Sequence, residues 1–522
     1  MQSVNQSHFA RAPSIDIQRS SFDRSHGLKT TFDASNLVPI FVDEALPGDT
    51  FNLKASFFAR LNTPIHPILD NLFFETFFFE VPVRQVWENW AKFNGEQDNP
   101  GDSTDYLIPT GIATPITGYT SESLGDYMGI PTAAVDLVHS ALPMRAYQHI
   151  YNTWFRDQNL IDSIVVPRDD GPDTHQDDSQ VYELRQRGKR HDYFTSALPW
   201  PQKSDSGSVS IPIGTSAPIN VPTVGATIHI NADSDTSIRQ LDTTGANLVT
   251  GVTGSGANAM YADLTEATAA TINQLRQSIA VQRLFEKDAR GGTRLIEVIY
   301  NHFKVRSPDL RLQRPGYLGG GRTQINISPV ASTVGSSDVQ QQDSPQGTLA
   351  GVGTLTATGH GFTKSFTEHT IIIGVCNVRA DITYQESLNR MWSRQTRFDH
   401  FWPELATIGE QEVLTKEIWA TGSPPLDDVV WGYQERFAEY RYKPSMITGK
   451  MRSSDPESLD IWHLSQDFGS SPVLNEEFIT ENVPIDRVVA TPSEPHFKLD
   501  AYFDLKCARP MPMYGIPGLD KL

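Results

Sequence analysis

HFKLDAYFDLKCAR, residues 496 to 509, is the stretch on which the fold class turns. Phe497, Leu499, Ala501, Phe503, Leu505 and Cys507 fall on one side of an extended chain; Lys498, Asp500, Tyr502, Asp504 and Lys506 fall on the other. Side chains of a strand alternate between faces, so a period of two predicts a strand with one dry face. The same pattern stands near the other end. In FNLKASFFARL (51 to 61), Phe51, Leu53, Ala55, Phe57, Ala59 and Leu61 alternate with Asn52, Lys54, Ser56 and Arg60. The two cleanest amphipathic strands thus lie near opposite ends of the chain. A Greek-key sandwich in which first and last strands pair uses that arrangement.

Working inward, LFFETFFFEV (72 to 81) is an almost continuous apolar run and reads as a strand buried on both faces. After Pro82, the spacing of Val83, Val86, Trp87, Trp90 and Phe93 predicts a helix that Asn94-Gly95 stops. A second amphipathic helix follows Pro143, with Met144, Tyr147, Ile150, Tyr151, Trp154 and Phe155 on its stripe. Both stripes read as core packing. GFTKSFTEHTIIIGVCNVRADITY (361 to 384) is strand-rich. Residues 1–45 are polar without clear period and read as an arm that lies on a neighbour or on the body.

Composition changes over 201–275, where Ser, Thr, Gly, Ala, Asn and Val dominate and Tyr261 is the one aromatic. This reads as an insertion, either a flexible linker or a small β-rich subdomain; pieces such as VSIPI and ATIHINA favour some β structure. TINQLRQSIAVQRLFEKDAR (271 to 290) reads as a helix returning to the body. The domain reading is therefore an arm over 1–45, a first core part over 46–200, an insertion over 201–275 and a second core part over 276–522.

The 522 residues, 38% hydrophobic and with a formal net charge of −19, suffice for a large core and argue against a free nucleic-acid binder. Two distant cysteines, Cys376 and Cys507, build neither a disulfide framework nor a zinc knuckle. The N-terminus has no apolar segment of the kind that marks a signal peptide, and no apolar run is long enough to span a membrane. Standard catalytic motifs do not occur. YLGGGRTQ (317 to 324) lacks the spacing of a dinucleotide or phosphate loop and reads as a turn where backbone comes close. NADSD, with Asp233 and Asp235, lacks the rest of a calcium loop. His302, His360, His369 and His400 show no ligand-like spacing. No cofactor is expected. Paired carboxylates far apart in the chain keep a β-sandwich carbohydrate-binding protein or glycosidase as the alternative.

One stretch stands against the acidic whole. RQRGKRHDYFTSALPWPQK (185 to 203) gathers Arg185, Arg187, Lys189 and Arg190, followed by Tyr193, Phe194, Pro199, Trp200 and Pro201. Cations beside an aromatic ring can hold single-stranded nucleic acid, which makes Arg185, Arg187, Lys189, Arg190 and Tyr193 candidate DNA contacts. The competing reading is a solvated loop paired with the acids of 169–178. Phe194, Pro199, Trp200 and Pro201 are candidates to anchor the base of the insertion.

GKRHDYFTSALPWPQK (188 to 203) resembles a signature of gokushovirus (Microviridae) major capsid proteins. Five further segments resemble the same family in the same order: residues 22–51, 71–97, 289–322, 388–411 and 432–445, with the break mainly over 204–275. The resemblance implies an all-β, eight-stranded viral jelly roll with long loops, a few helices and a large surface insertion. It implies sixty copies in a T=1 icosahedral shell around a circular single-stranded DNA genome. The insertion would form a trimeric spike at the three-fold axes that meets a host cell-surface receptor. Implied partners are a small basic internal DNA-binding protein, an internal scaffolding protein and a DNA pilot protein. The virion is the implied location, with synthesis in the bacterial host cytoplasm. Sixty chains at −19 each carry on the order of a thousand negative charges, so packaging needs another basic component or counterions.

Overall fold

The architecture comes from a computed structural model. It describes the chain except for residues 1–18, 113–117, 133, 136, 175–178, most of 202–271, 293, 307, 309–312, 334–346 and 515–522. The chain divides into two compact units, one formed by 1–201 with 292–522 and the other by 202–291.

The first unit is built on a curled antiparallel sheet. Its strands are β1 (Ser20–Asp23), β2 (His26–Phe32), β3 (Val38–Ala45), β4 (Thr50–Leu61), β5 (Leu72–Pro82), β6 (Gly316–Ala331), β7 (Leu349–Ser365), β8 (Thr370–Ala380) and, after a separate hairpin of β9 (Glu410–Leu414) and β10 (Val430–Glu435), β11 (Phe497–Arg509). The lateral order is β1–β11–β4–β7–β6–β5–β8–β3, with β2 also pairing β11. If β1 and β2 are taken as one interrupted edge strand, two four-stranded halves follow, first-eighth-third-sixth and fifth-fourth-seventh-second in chain order. That is the double Greek key of a jelly roll. The predicted pairing of the two end strands holds: β11 lies antiparallel to β4 from Phe497 opposite Leu61 to Ala508 opposite Thr50.

Between the halves lies a core of alternating side chains, among them Phe51, Leu53, Phe57, Phe74, Phe78, Ile372, Phe497, Phe503 and Leu505. In β4 every second residue is buried and the residues between face solvent. β8 is buried at every position. Its outer face, with that of β5, carries a second layer: Phe79, Val81, Ile371, Ile373 and Val375 pack on Trp87, Met144, Tyr147 and Ile150. This explains why 72–81 reads as apolar without alternation.

Four expectations change. Residues 20–45 are three strands of the sheet rather than an arm; burial of Val38, Ile40 and Phe41 against the body supplies the drive that a polar composition hides. The helix expected over 83–93 is broken into a 3₁₀ turn, Val83–Gln85, and a single α turn, Trp90–Phe93. There the Glu88 N–H donates to Arg168 O at 2.9 Å and the Trp87 indole to Asp170 Oδ1 at 2.7 Å, so tertiary partners replace helical ones. The second helix forms as expected over Leu142–Ile150 and runs into a π turn, Tyr151–Phe155. YLGGGRTQ is not a turn but the inside of β6. The last change concerns the helix of the insertion, which runs Ile272–Gly291 and belongs to the second unit rather than to the body.

The second unit also contains a three-stranded antiparallel sheet (Ile228–Asn231, Ile238–Thr244, Asn247–Gly251) and a two-stranded pairing of Ile219–Asn220 with Tyr261–Ala262. The VSIPI and NADSD readings lie outside the described residues.

Candidate functional site

The basic segment lies along the outer side of β5, and its backbone is held on both sides. Leu37 N donates to Arg185 O at 2.8 Å and Arg187 N to Ser35 O at 3.2 Å; Lys189 N donates to Ile479 O at 2.7 Å and Glu481 N to Arg187 O at 2.8 Å. Residues 185–189 therefore fill a gap between the start of β3 and residues 479–481.

Its side chains converge on a carboxylate that sequence reasoning passed over. Glu75 interrupts the apolar run of β5, and a carboxylate in that setting requires cations. Arg187 pairs with its Oε2, Arg190 Nη2 lies 3.0 Å from Oε1, Arg322 Nε 3.6 Å from Oε1 and Arg379 Nη1 3.8 Å from Oε2. Burial pushes the Glu75 carboxyl up, and the arginines, Arg187 foremost, outweigh it and hold it below the usual range. Arg379 also pairs with buried Glu481 at 2.7 Å; burial drives Arg379 down to about 10, which leaves it charged at neutral pH. The signal available in the sequence was Glu75 itself, an acid set between phenylalanines in the middle of an apolar run.

The remaining candidates are equally committed. Arg185 pairs with Glu183 at 3.0 Å and donates to Gln148 Oε1 at 3.2 Å. Lys189 is buried, donates to Gln466 Oε1 at 2.6 Å and sits 4.5 Å from the Phe478 ring; burial brings its ammonium down to about 8 against the pull of Glu481 and Asp192. The Tyr193 hydroxyl donates to Glu417 Oε2 at 2.9 Å, and burial holds that phenol above its ordinary value. Aromatic faces take up the flat sides of the guanidinium groups: Arg187 lies 4.9 Å from Phe77, Arg190 5.4 Å and Arg322 3.6 Å from Phe73. Solvent reaches the side chains of Arg185, Arg187 and Arg190 only to 18%, 20% and 30%. Ion pairing was the right chemistry for the competing reading, with different partners: Asp169 and Asp173 serve Arg145 instead.

Of the anchor candidates, Phe194 is buried, edge-on to Tyr384 at 4.7 Å and to Trp431 at 5.9 Å. Leu198 exchanges backbone hydrogen bonds with Tyr433 at 2.8 Å each way. Pro199 and Pro201 are exposed and Trp200 is half-buried.

A jelly roll with long connections, several of them tied down by buried ion pairs, has the build of a viral coat subunit. The comparisons agree: the capsid protein (F protein) family matches residues 10–519. The chain is 48% identical to the capsid protein VP1 of Bdellovibrio phage phiMH2K over 98% of both chains. It is 40% identical to VP1 of Chlamydia phage 1 over 100% of this chain and 99% of that one. To VP1 of Spiroplasma virus 4 it is 34% identical, over 97% and 96%. The chain belongs to this family as a gokushovirus (Microviridae) major capsid protein, and it is a component of the virion.

Proposed function

We propose that sixty copies of this chain close a T=1 shell around a circular single-stranded DNA genome, and that the insertion forms a trimeric spike at each three-fold axis and meets the host surface. The observation that carries the spike is the division of the chain: one continuous segment, 202–291, is a compact unit apart from the jelly roll. Segments poor in aromatic residues gain burial when copies meet, which favours a trimeric arrangement. Cryo-electron microscopy of particles with and without 204–275 tests this. Sixty-copy shells whose three-fold projections vanish on deletion are expected; projections that persist would move the spike elsewhere in the chain, and open aggregates would refute the shell.

The acidic subunit calls for a basic component or counterions to neutralise the genome; the family likeness supports a small basic internal protein in that role, with scaffolding and pilot proteins in assembly and delivery. For Arg185, Arg187, Lys189, Arg190 and Tyr193, the ion pairs favour a clamp on the fold over a genome contact. Replacing the four cations with Gln separates the two. A clamp predicts loss of folded subunit and of assembly; a DNA contact predicts intact shells with less retained genome.

A further inference from the structure

Two stretches singled out in the sequence, 388–411 and 432–445, contribute nothing to the jelly-roll core, and the fold leaves most of their aromatic residues on the surface, Phe437 being buried beneath them. Trp392 is 71% exposed and Phe398 62%; Met391, Phe401, Tyr440 and Tyr442 are each about half exposed. The surface is ordered by its own contacts. Phe401 packs edge-on against Phe437 at 5.3 Å and Tyr440 at 6.3 Å. Arg394 lies 4.2 Å from the Tyr440 ring, Arg397 4.5 Å from Trp402 and Arg436 4.5 Å from Phe437. Arg436 Nη2 also donates to Phe398 O at 2.8 Å and Trp402 Nε1 to Arg397 O at 3.0 Å.

We infer that this aromatic and arginine surface is a contact between copies of the chain, with a second copy as its occupant. Area is the first argument. At ~200 Å² for a fully exposed large side chain, the six residues leave roughly 700 Å² uncovered. Summed over these residues, that approaches the ~800 Å² each partner buries in a standard interface. Composition is the second. Trp, Tyr and Arg dominate the residues that carry binding energy in interfaces. Arg394 on Tyr440 and the packing of Phe401 on Phe437 and Tyr440 hold two of these rings in place before contact, which lowers the entropy lost on docking.

The inference rests on the shell reading. Trp392→Glu with Phe398→Glu, produced alongside the unchanged chain with its assembly partners, is the test. The expected result is a soluble subunit with an unaltered melting temperature and shell yield reduced by at least ~10-fold. Shells at unchanged yield would overturn the inference while leaving the shell reading standing. Unchanged chain that forms no shells would overturn both. If the double variant does not fold, Gln395→Cys gives an independent measurement, because Cys376 and Cys507 are buried. The introduced thiol should react with a maleimide in the free subunit and be protected in particles; labelled with benzophenone-maleimide before assembly, it should photo-cross-link to a second copy in the particle. Equal reaction in both states, protection already in the free subunit, or cross-linking to another virion protein would each overturn the inference.

Discussion

Glu75 shows how one residue organises a surface. A carboxylate on a strand of phenylalanines is tolerable only if cations reach it, and the chain brings Arg187 and Arg190 from the connection, Arg322 from β6 and Arg379 from β8. Glu75→Gln removes the counterion these guanidinium groups share and leaves Arg379 to Glu481 and Arg190 to Asp381. Denaturant unfolding of the subunit should show a loss of about 3 kcal/mol. His149 makes a second residue-scale prediction. Burial, helped by the charge of Arg168, pushes its imidazole down to about 4. An unfolded histidine titrates near 6.5, so between about pH 6.5 and 4 the unfolded chain binds the proton that the folded chain refuses. Its contribution is complete above pH 6.5 and is lost as pH falls, by about 2 kcal/mol at pH 5. His149→Gln should shrink the drop in melting temperature between pH 7 and pH 5; an undiminished drop would assign the acid sensitivity to other groups.

At the scale of elements, the glycines of β6 mark where its backbone comes closest to the neighbouring strand. β6 pairs β5 as far as Ile325 and β7 from Asn326, with a register shift between Tyr317 and Gly319. A Cβ on Gly320 would stand 2.0 Å from the Thr76 carbonyl oxygen, and one on Gly361 2.0 Å from that of Leu53. Both obstructions are backbone of the neighbouring strand, which cannot rotate away. Gly320→Ala should therefore force β5 and β6 apart and cost about 3 kcal/mol, with little soluble subunit at 37 °C. Normal yield and stability would mean that the strands separate without penalty. Sequence reasoning saw the close approach in YLGGGRTQ and assigned it to a turn, because three glycines in a row are a turn signal and their role between strands depends on a partner far away in the chain. The broken 83–93 helix has the same origin: its apolar spacing is helical, yet Trp87 and Glu88 find partners near residues 168–170.

For the whole molecule, charge governs association. Subunits at −19 repel one another, and salt screens that repulsion over about 8 Å at physiological ionic strength. Raising ionic strength from low values toward ~0.15 M should increase assembly yield of subunits without DNA, as followed by light scattering. A yield that falls with salt would show that attraction between opposite charges dominates the contacts.

The sequence alone determined the strands that carry an alternating pattern. β4 and β11 announce themselves because their partners cover one face only, so the period of two survives in the residues. It also determined the presence of an insertion, through composition, and the family, through motifs in order. Only the tertiary structure decided that 20–45 joins the sheet, that Arg187 and Arg190 serve Glu75 of a distant strand, and that the aromatic residues of 388–411 stay outside. Burial and ion pairing are set by which distant segments meet, and local residue order holds no record of that.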